Sequence, residues 1–123
     1  MLRKLLLLAL ASVLCLNSQE VGQTFLLTVF LRHDQSKTVN EINDLVGKAG
    51  FRDKFPPPGI EVVSWYVMMG VGQVVTLRVP PARLREVNQV IEQSAWGGYR
   101  TDFYPTYDYK PVWQSTWPSA KGR

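Results

Sequence analysis

Gly59-Ile-Glu-Val-Val-Ser-Trp-Tyr-Val-Met-Met-Gly-Val-Gly-Gln-Val-Val-Thr-Leu-Arg-Val-Pro80 reads as a β-hairpin. Two runs rich in Val, Trp, Tyr, Thr and Leu flank a short segment holding Gly70 and Gly72, residues that reach the positive φ of a tight turn. Side chains alternate along a strand. On the first run Val63, Trp65 and Val67 therefore share one face, with Val62, Ser64, Tyr66 and Met68 opposite. On the second, Val75, Leu77 and Val79 oppose Val74, Thr76 and Arg78. One face is purely apolar and suits helices; the other is mixed.

Before the hairpin, Thr38-Val39-Asn40-Glu41 has the spacing of a capping box, and Val39, Ile42, Leu45, Val46 and Ala49 follow at helical intervals. This predicts a helix over 38–49. Phe51 to Gly59 reads as a loop, stiffened by Pro56-Pro57-Pro58. After the hairpin, Pro81 suits a first helical turn, and Leu84, Val87, Val90, Ile91 and Ala95 form an apolar stripe, predicting a helix over 81–95. Outside the two helices lie two further strands. Thr24 to Arg32 is apolar on both faces, with Phe25, Leu27, Val29 and Leu31 on one and Leu26 and Phe30 on the other. Tyr99 to Tyr104 alternates and is expected to stop at Pro105.

The order β-α-β-β-α-β predicts an α+β, ferredoxin-like sandwich: a four-stranded antiparallel sheet with two helices on one face. Helices on one face leave the other open, yet the first strand is apolar on both sides, as in strands covered twice. A second copy packed sheet to sheet would cover it, so a homodimer is expected. The other candidate cover is the C-terminal tail. Half of the chain's 14 aromatic residues lie between Tyr99 and Trp117, too many for a disordered tail. The expected organisation is a signal peptide over 1–22, a ferredoxin-like domain over 23–109 and an aromatic tail over 110–123.

The chain begins with Arg3 and Lys4, then the uninterrupted apolar run Leu5 to Leu16. That is the order of a secretory signal. Its 12 residues fall short of the roughly 20 that span a bilayer. A buried core helix is the competing reading, but the charge-then-leucine order at the initiator methionine favours export. A periplasmic or secreted protein is expected, with no membrane span once the signal is removed. The cut site stays open. Ala9-Leu10-Ala11 fits the small-x-small pattern but comes early, and Val13-Leu14-Cys15 fits it less well. Lipidation at Cys15 would want a small residue where Leu14 stands.

Composition narrows the function. The 123 residues make one domain by length, and 46% hydrophobic with 20% charged content is ordinary for a globular protein. The net charge is +4, or +3 once Arg3, Lys4 and Glu20 leave with the signal. The remaining basic residues are scattered singly, with no stripe to track phosphates, so no nucleic-acid partner is expected. Cys15 is the only cysteine and lies in the export segment; His33 is the only histidine. Disulfides, thiol nucleophiles and a multi-histidine metal cage are therefore excluded, and no cofactor is expected. Gly70-Val71-Gly72 lacks the following helix and the lysine of a phosphate loop.

With the hairpin Trp65-Tyr66-Val67 to Thr76-Leu77-Arg78 and the ending Trp96-Gly97-Gly98-Tyr99-Arg100-Thr101-Asp102-Phe103-Tyr104-Pro105, the chain resembles the dimeric α/β-barrel superfamily, and within it small muconolactone-isomerase-like proteins. The resemblance covers roughly residues 24 to 109. It implies a dimer with a small-molecule cleft between sheet and helices, and isomerase-like or cofactor-free oxygenase chemistry where there is any. His33 is the candidate catalytic base, since an imidazole titrates near 6.5. Trp65, Tyr66, Met68, Arg78 and Tyr104 are the candidate substrate-binding residues, Arg78 as an anion anchor. Against this stands a non-catalytic reading, in which His33 is a solvated loop residue and Tyr66 and Met68 only pack an interface. Arg100 and Asp102, two apart on one strand face, can pair with each other or across strands.

Overall fold

A computed structural model describes residues 22–121. Residues 1–21, Cys15 and nearly all of the expected signal peptide over 1–22 among them, lie outside the described residues.

The elements run β1 (Phe25–His33), α1 (Val39–Lys48), α2 (Phe51–Lys54), β2 (Glu61–Met68), β3 (Gly72–Val79), α3 (Leu84–Ser94), β4 (Tyr99–Thr106) and α4 (Lys110–Thr116). Short 3-10 turns cover Pro81–Arg83 and Pro118–Ala120. The four strands form one antiparallel sheet in the order β2-β3-β1-β4. This is the expected ferredoxin-like α+β fold. α1 starts where its capping box puts it: the Glu41 N–H donates to Thr38 Oγ1 at 3.2 Å, and the Thr38 N–H donates to Glu41 Oε2 at 3.3 Å.

The core lies on the helix side of the sheet. Leu27, Val29 and Leu31 of β1 and Val75, Leu77 and Val79 of β3 cluster there with Ile42 and Val46 of α1 and Val87 and Ile91 of α3. Fully burying one such side chain contributes about 1.5–3 kcal/mol. On the opposite side of the sheet Leu26, Thr28, Phe30, Arg32, Val74 and Thr76 are only half-buried, and Arg78 and Tyr104 are exposed. There Thr28 Oγ1 joins Thr106 Oγ1 at 2.6 Å and Thr76 Oγ1 at 3.3 Å, a hydroxyl ladder over three strands. Phe30 and Tyr104 pack edge to face at 5.8 Å. Asp102 pairs across strands, accepting from Arg32 Nε at 2.9 Å, rather than with Arg100.

Four readings of the sequence change. A bulge between Val62 and Ser64 leaves Val62, not Val63, opposite Leu77, because one extra residue reverses the alternation before it. Residues 51–54 form α2 instead of loop, and bury Phe51. β4 runs on through Pro105 to Thr106. It is an edge strand, where a proline whose nitrogen side faces outward breaks no ladder bond. The purely apolar face of β2 is not covered: Trp65 stays 40% and Val67 69% exposed, since β2 is the other edge.

In the tail, α4 is followed by a turn that buries Ala120, and Trp117 Nε1 donates to the Tyr109 hydroxyl at 3.3 Å. Tyr107, Tyr109 and Trp117 remain exposed. Among the described residues no helix is long and apolar enough to cross a membrane.

Candidate functional site

The candidate site residues lie on two sides of the sheet. His33 and Trp65 are on the helix side, in register with Tyr99 and Val75. Tyr66, Met68, Arg78 and Tyr104 are on the open side, opposite Val74, Gly72, Glu61 and Thr28. The sheet separates the two groups, so they do not line one cleft. Arg78 is already paired, its Nε donating to Glu61 Oε2 at 2.6 Å.

On the helix side a cleft of about 310 Å³ opens between the sheet and the α1–α2 connection. Phe51 and Phe55 line it. They sit four residues apart in and just after α2, and their rings stack at 4.9 Å. Trp65 stands edge-on to Phe55 at 5.7 Å, and Tyr99 edge-on to Phe51 at 5.9 Å. Asn43, Arg52 and Gln73 add polar groups to the lining. Aromatic rings make half of the lining, and a concave space that sets such rings beside a few converging polar groups is a usual form of a small-molecule site.

Those polar atoms are linked. Trp65 Nε1 donates to Gln73 Oε1 at 2.6 Å, and Gln73 Nε2 donates to the Tyr99 hydroxyl at 3.4 Å. Tyr99 is only 7% exposed. Burial pushes its phenol above the ordinary value of 10.0, partly opposed by the positive charge of Arg52. The phenol is therefore neutral, with its proton in place, at physiological pH.

His33 does not line this cleft. Its ring stacks on that of Tyr99 at 5.8 Å and 23°, and its backbone N–H donates to Val71 O at 2.9 Å. Its neighbour Asp34 is occupied elsewhere. The Lys37 ammonium at 2.9 Å, then the Ser36 hydroxyl and backbone N–H, hold the Asp34 carboxyl well below the usual carboxylate range. No His33–Asp34 pair forms.

Phe51, Phe55, Gln73, Tyr99 and Arg52 are cleft residues that the sequence reading did not single out. The two phenylalanines carried a signal, since an aromatic pair at i, i+4 falls on one helix face. Gln73 and Tyr99 carried none: they are 26 residues apart, on strands that β1 separates.

The raised Tyr99 value makes a prediction. The folded state disfavours the phenolate, so the stability this brings is full below about pH 10 and is lost as pH rises through the folded-state value. Urea midpoints measured from pH 8 to 11 should fall more steeply for the native chain than for Tyr99→Phe. Parallel curves would mean that Tyr99 ionises as freely folded as unfolded.

No protein-family model, curated protein or solved structure matches this chain.

Proposed function

We propose that the chain is an exported small-molecule-binding protein of the dimeric α/β-barrel kind, similar to the muconolactone-isomerase-like proteins. The observation that carries this reading is the aromatic cleft between sheet and helices, with Trp65, Gln73 and Tyr99 joined across it. Such a protein holds its ligand in the same layer of the fold. His33 acts here as a positioning residue that fixes the plane of Tyr99, and Trp65 is a wall of the ligand space.

The other four candidates, Tyr66, Met68, Arg78 and Tyr104, belong to a surface that a second copy covers. Tyr66 is 68% exposed, and Leu26, Phe30 and Val74 lie half-buried on the same face. Arg32 and Arg78 are already neutralised by Asp102 and Glu61, so this face carries few unpaired charges to desolvate.

A purely structural role is favoured by one different observation, the exposure of β2 on both faces at Val62, Tyr66 and Val67. An apolar edge of that kind is a template for assembly.

Two measurements on one sample test the proposal. Intact mass of protein recovered outside the cytoplasm should show residues 1 to about 22 removed. Sedimentation equilibrium of the same material should give a dimer, and Tyr104→Arg should give a folded monomer by circular dichroism. A native monomer would sink the barrel reading. Higher oligomers that survive Tyr104→Arg would favour assembly through β2.

A further inference from the structure

The hydrogen-bond chain across the cleft has a direction. An indole N–H only donates. Trp65 Nε1 therefore fixes the carbonyl end of Gln73 toward itself, at 2.6 Å. The amide nitrogen of Gln73 is left to face Tyr99, and donates to the phenol oxygen at 3.4 Å. Tyr99 thus receives a hydrogen bond from the protein and still holds its own proton. Among the described residues no group accepts that proton. Burial keeps the phenol from ionising at neutral pH, so the donor persists.

The rest of the cleft completes a pattern. Its walls are flat π-surfaces: the stacked Phe51 and Phe55, with Trp65 and Tyr99 edge-on to them. Its charged lining group is Arg52, a donor with no acceptor capacity, whose field reaches the Tyr99 oxygen. Of the unspent polar groups that line the space, the phenol O–H and the guanidinium are donors, and the Asn43 amide can donate or accept. The complementary ligand has a flat apolar body and an oxygen acceptor carrying negative charge.

We propose that this cleft binds a planar, single-ring carboxylate, whose ring lies among Phe51, Phe55 and Trp65 and whose carboxylate oxygens accept from the Tyr99 hydroxyl and face Arg52. The proposal rests on the cleft being a ligand site, as argued above, and adds the ligand's class. A charge-assisted O–H···O⁻ bond is roughly twice as strong as a neutral one, and Arg52 adds attraction for the anion alone. The anion therefore outbinds a neutral acceptor of the same shape, and a cation is rejected. Gln73 and His33 are positioning residues in this scheme. Gln73 sets the direction of the phenol proton and His33 sets the plane of the ring.

The test uses the full chain labelled with 15N. Its four tryptophans give separate indole signals, and Trp65→Phe identifies the one in the cleft. Benzoate, benzamide and benzylamine are titrated in turn. Benzoate should move the Trp65 indole signal along a saturating curve, and benzylamine should bind at least tenfold more weakly. Tyr99→Phe should weaken benzoate about tenfold, which is about 1.4 kcal/mol. Arg52→Ala, at an exposed residue whose loss does not threaten the fold, should weaken benzoate several-fold and leave benzamide unchanged. It carries the test if Tyr99→Phe fails to fold. Equal binding of benzoate and benzylamine, or benzoate binding unaffected by Arg52→Ala, would overturn the carboxylate assignment while leaving the cleft as a ligand site. A Trp65 signal that none of the three moves at millimolar concentration would overturn both.

Discussion

Gly72→Ala is expected to destabilise the fold by about 3 kcal/mol or more, the largest effect of a methyl group added at any of the described glycines. Gly72 opens β3 and lies opposite Arg32 on one side and Met68 on the other. Its φ is +145°, outside the regions that side-chain-bearing residues favour. A Cβ there would press into the Leu31 carbonyl oxygen and come within 2.9 Å of the Arg32 Cα. Both are backbone atoms of a central strand and cannot swing aside. Steric overlap and strain therefore add. Gly70 supplies the control. It also has positive φ, +76°, but nothing lies within 4 Å of a Cβ built there. Gly70→Ala should cost only the left-handed conformational penalty, about 1 kcal/mol. Urea unfolding of the two variants separates the effects, and equal midpoints would mean that β1 yields at Leu31. A functional loss should accompany the first variant. Gln73 follows Gly72 directly, so a displaced strand start carries its amide away from Trp65 and Tyr99.

Leu77→Ala is expected to cost about 3 kcal/mol, by the transfer free energy of the lost carbons and the cavity they leave. Leu77 is 0% exposed and lies between Leu27 of β1 and Val62 of β2. The strands around it are locked in register, so the hole cannot close. Val67→Ala removes a branched side chain ten residues earlier, but Val67 is 69% exposed. Its effect should stay within about 0.5 kcal/mol. Thermal unfolding checks the pair. A small Leu77 effect would show that β2 and β3 repack around the void. A large Val67 effect would show that its face is buried in the protein as it exists in solution, as assembly through β2 requires.

Much of the fold was legible because its signals are local. The capping box at Thr38 and Glu41 starts α1, with both reciprocal hydrogen bonds formed. The stripe through Val87 and Ile91 becomes the buried side of α3. The hairpin turns at Gly70, where the Val71 N–H donates to Met68 O at 3.0 Å. The errors occurred where a single residue's effect depends on what lies beside it. Whether Pro105 ends a strand depends on the strand being an edge. Where Val62 points depends on the bulge at Val63, between its own pairing with Leu77 and that of Ser64 with Thr76.

The candidate site was legible only in part. Trp65 and His33 were singled out, and both adjoin the cleft, Trp65 as a wall and His33 through its stack on Tyr99. Tyr66, Met68, Arg78 and Tyr104 were assigned to the same space, but the sheet turns them to its other side.

By itself the sequence determined the order of elements, the antiparallel ferredoxin-like plan and the residues that fill its core, because periodicity and capping act over three to seven residues. The tertiary structure decided which polar groups meet. Trp65 and Gln73 meet within the β2–β3 hairpin, but Tyr99 joins them only once β1 has inserted between β3 and β4. A hydrogen bond forms within about 3 Å, and no spacing along the chain encodes that distance between strands brought together by the burial of a shared core.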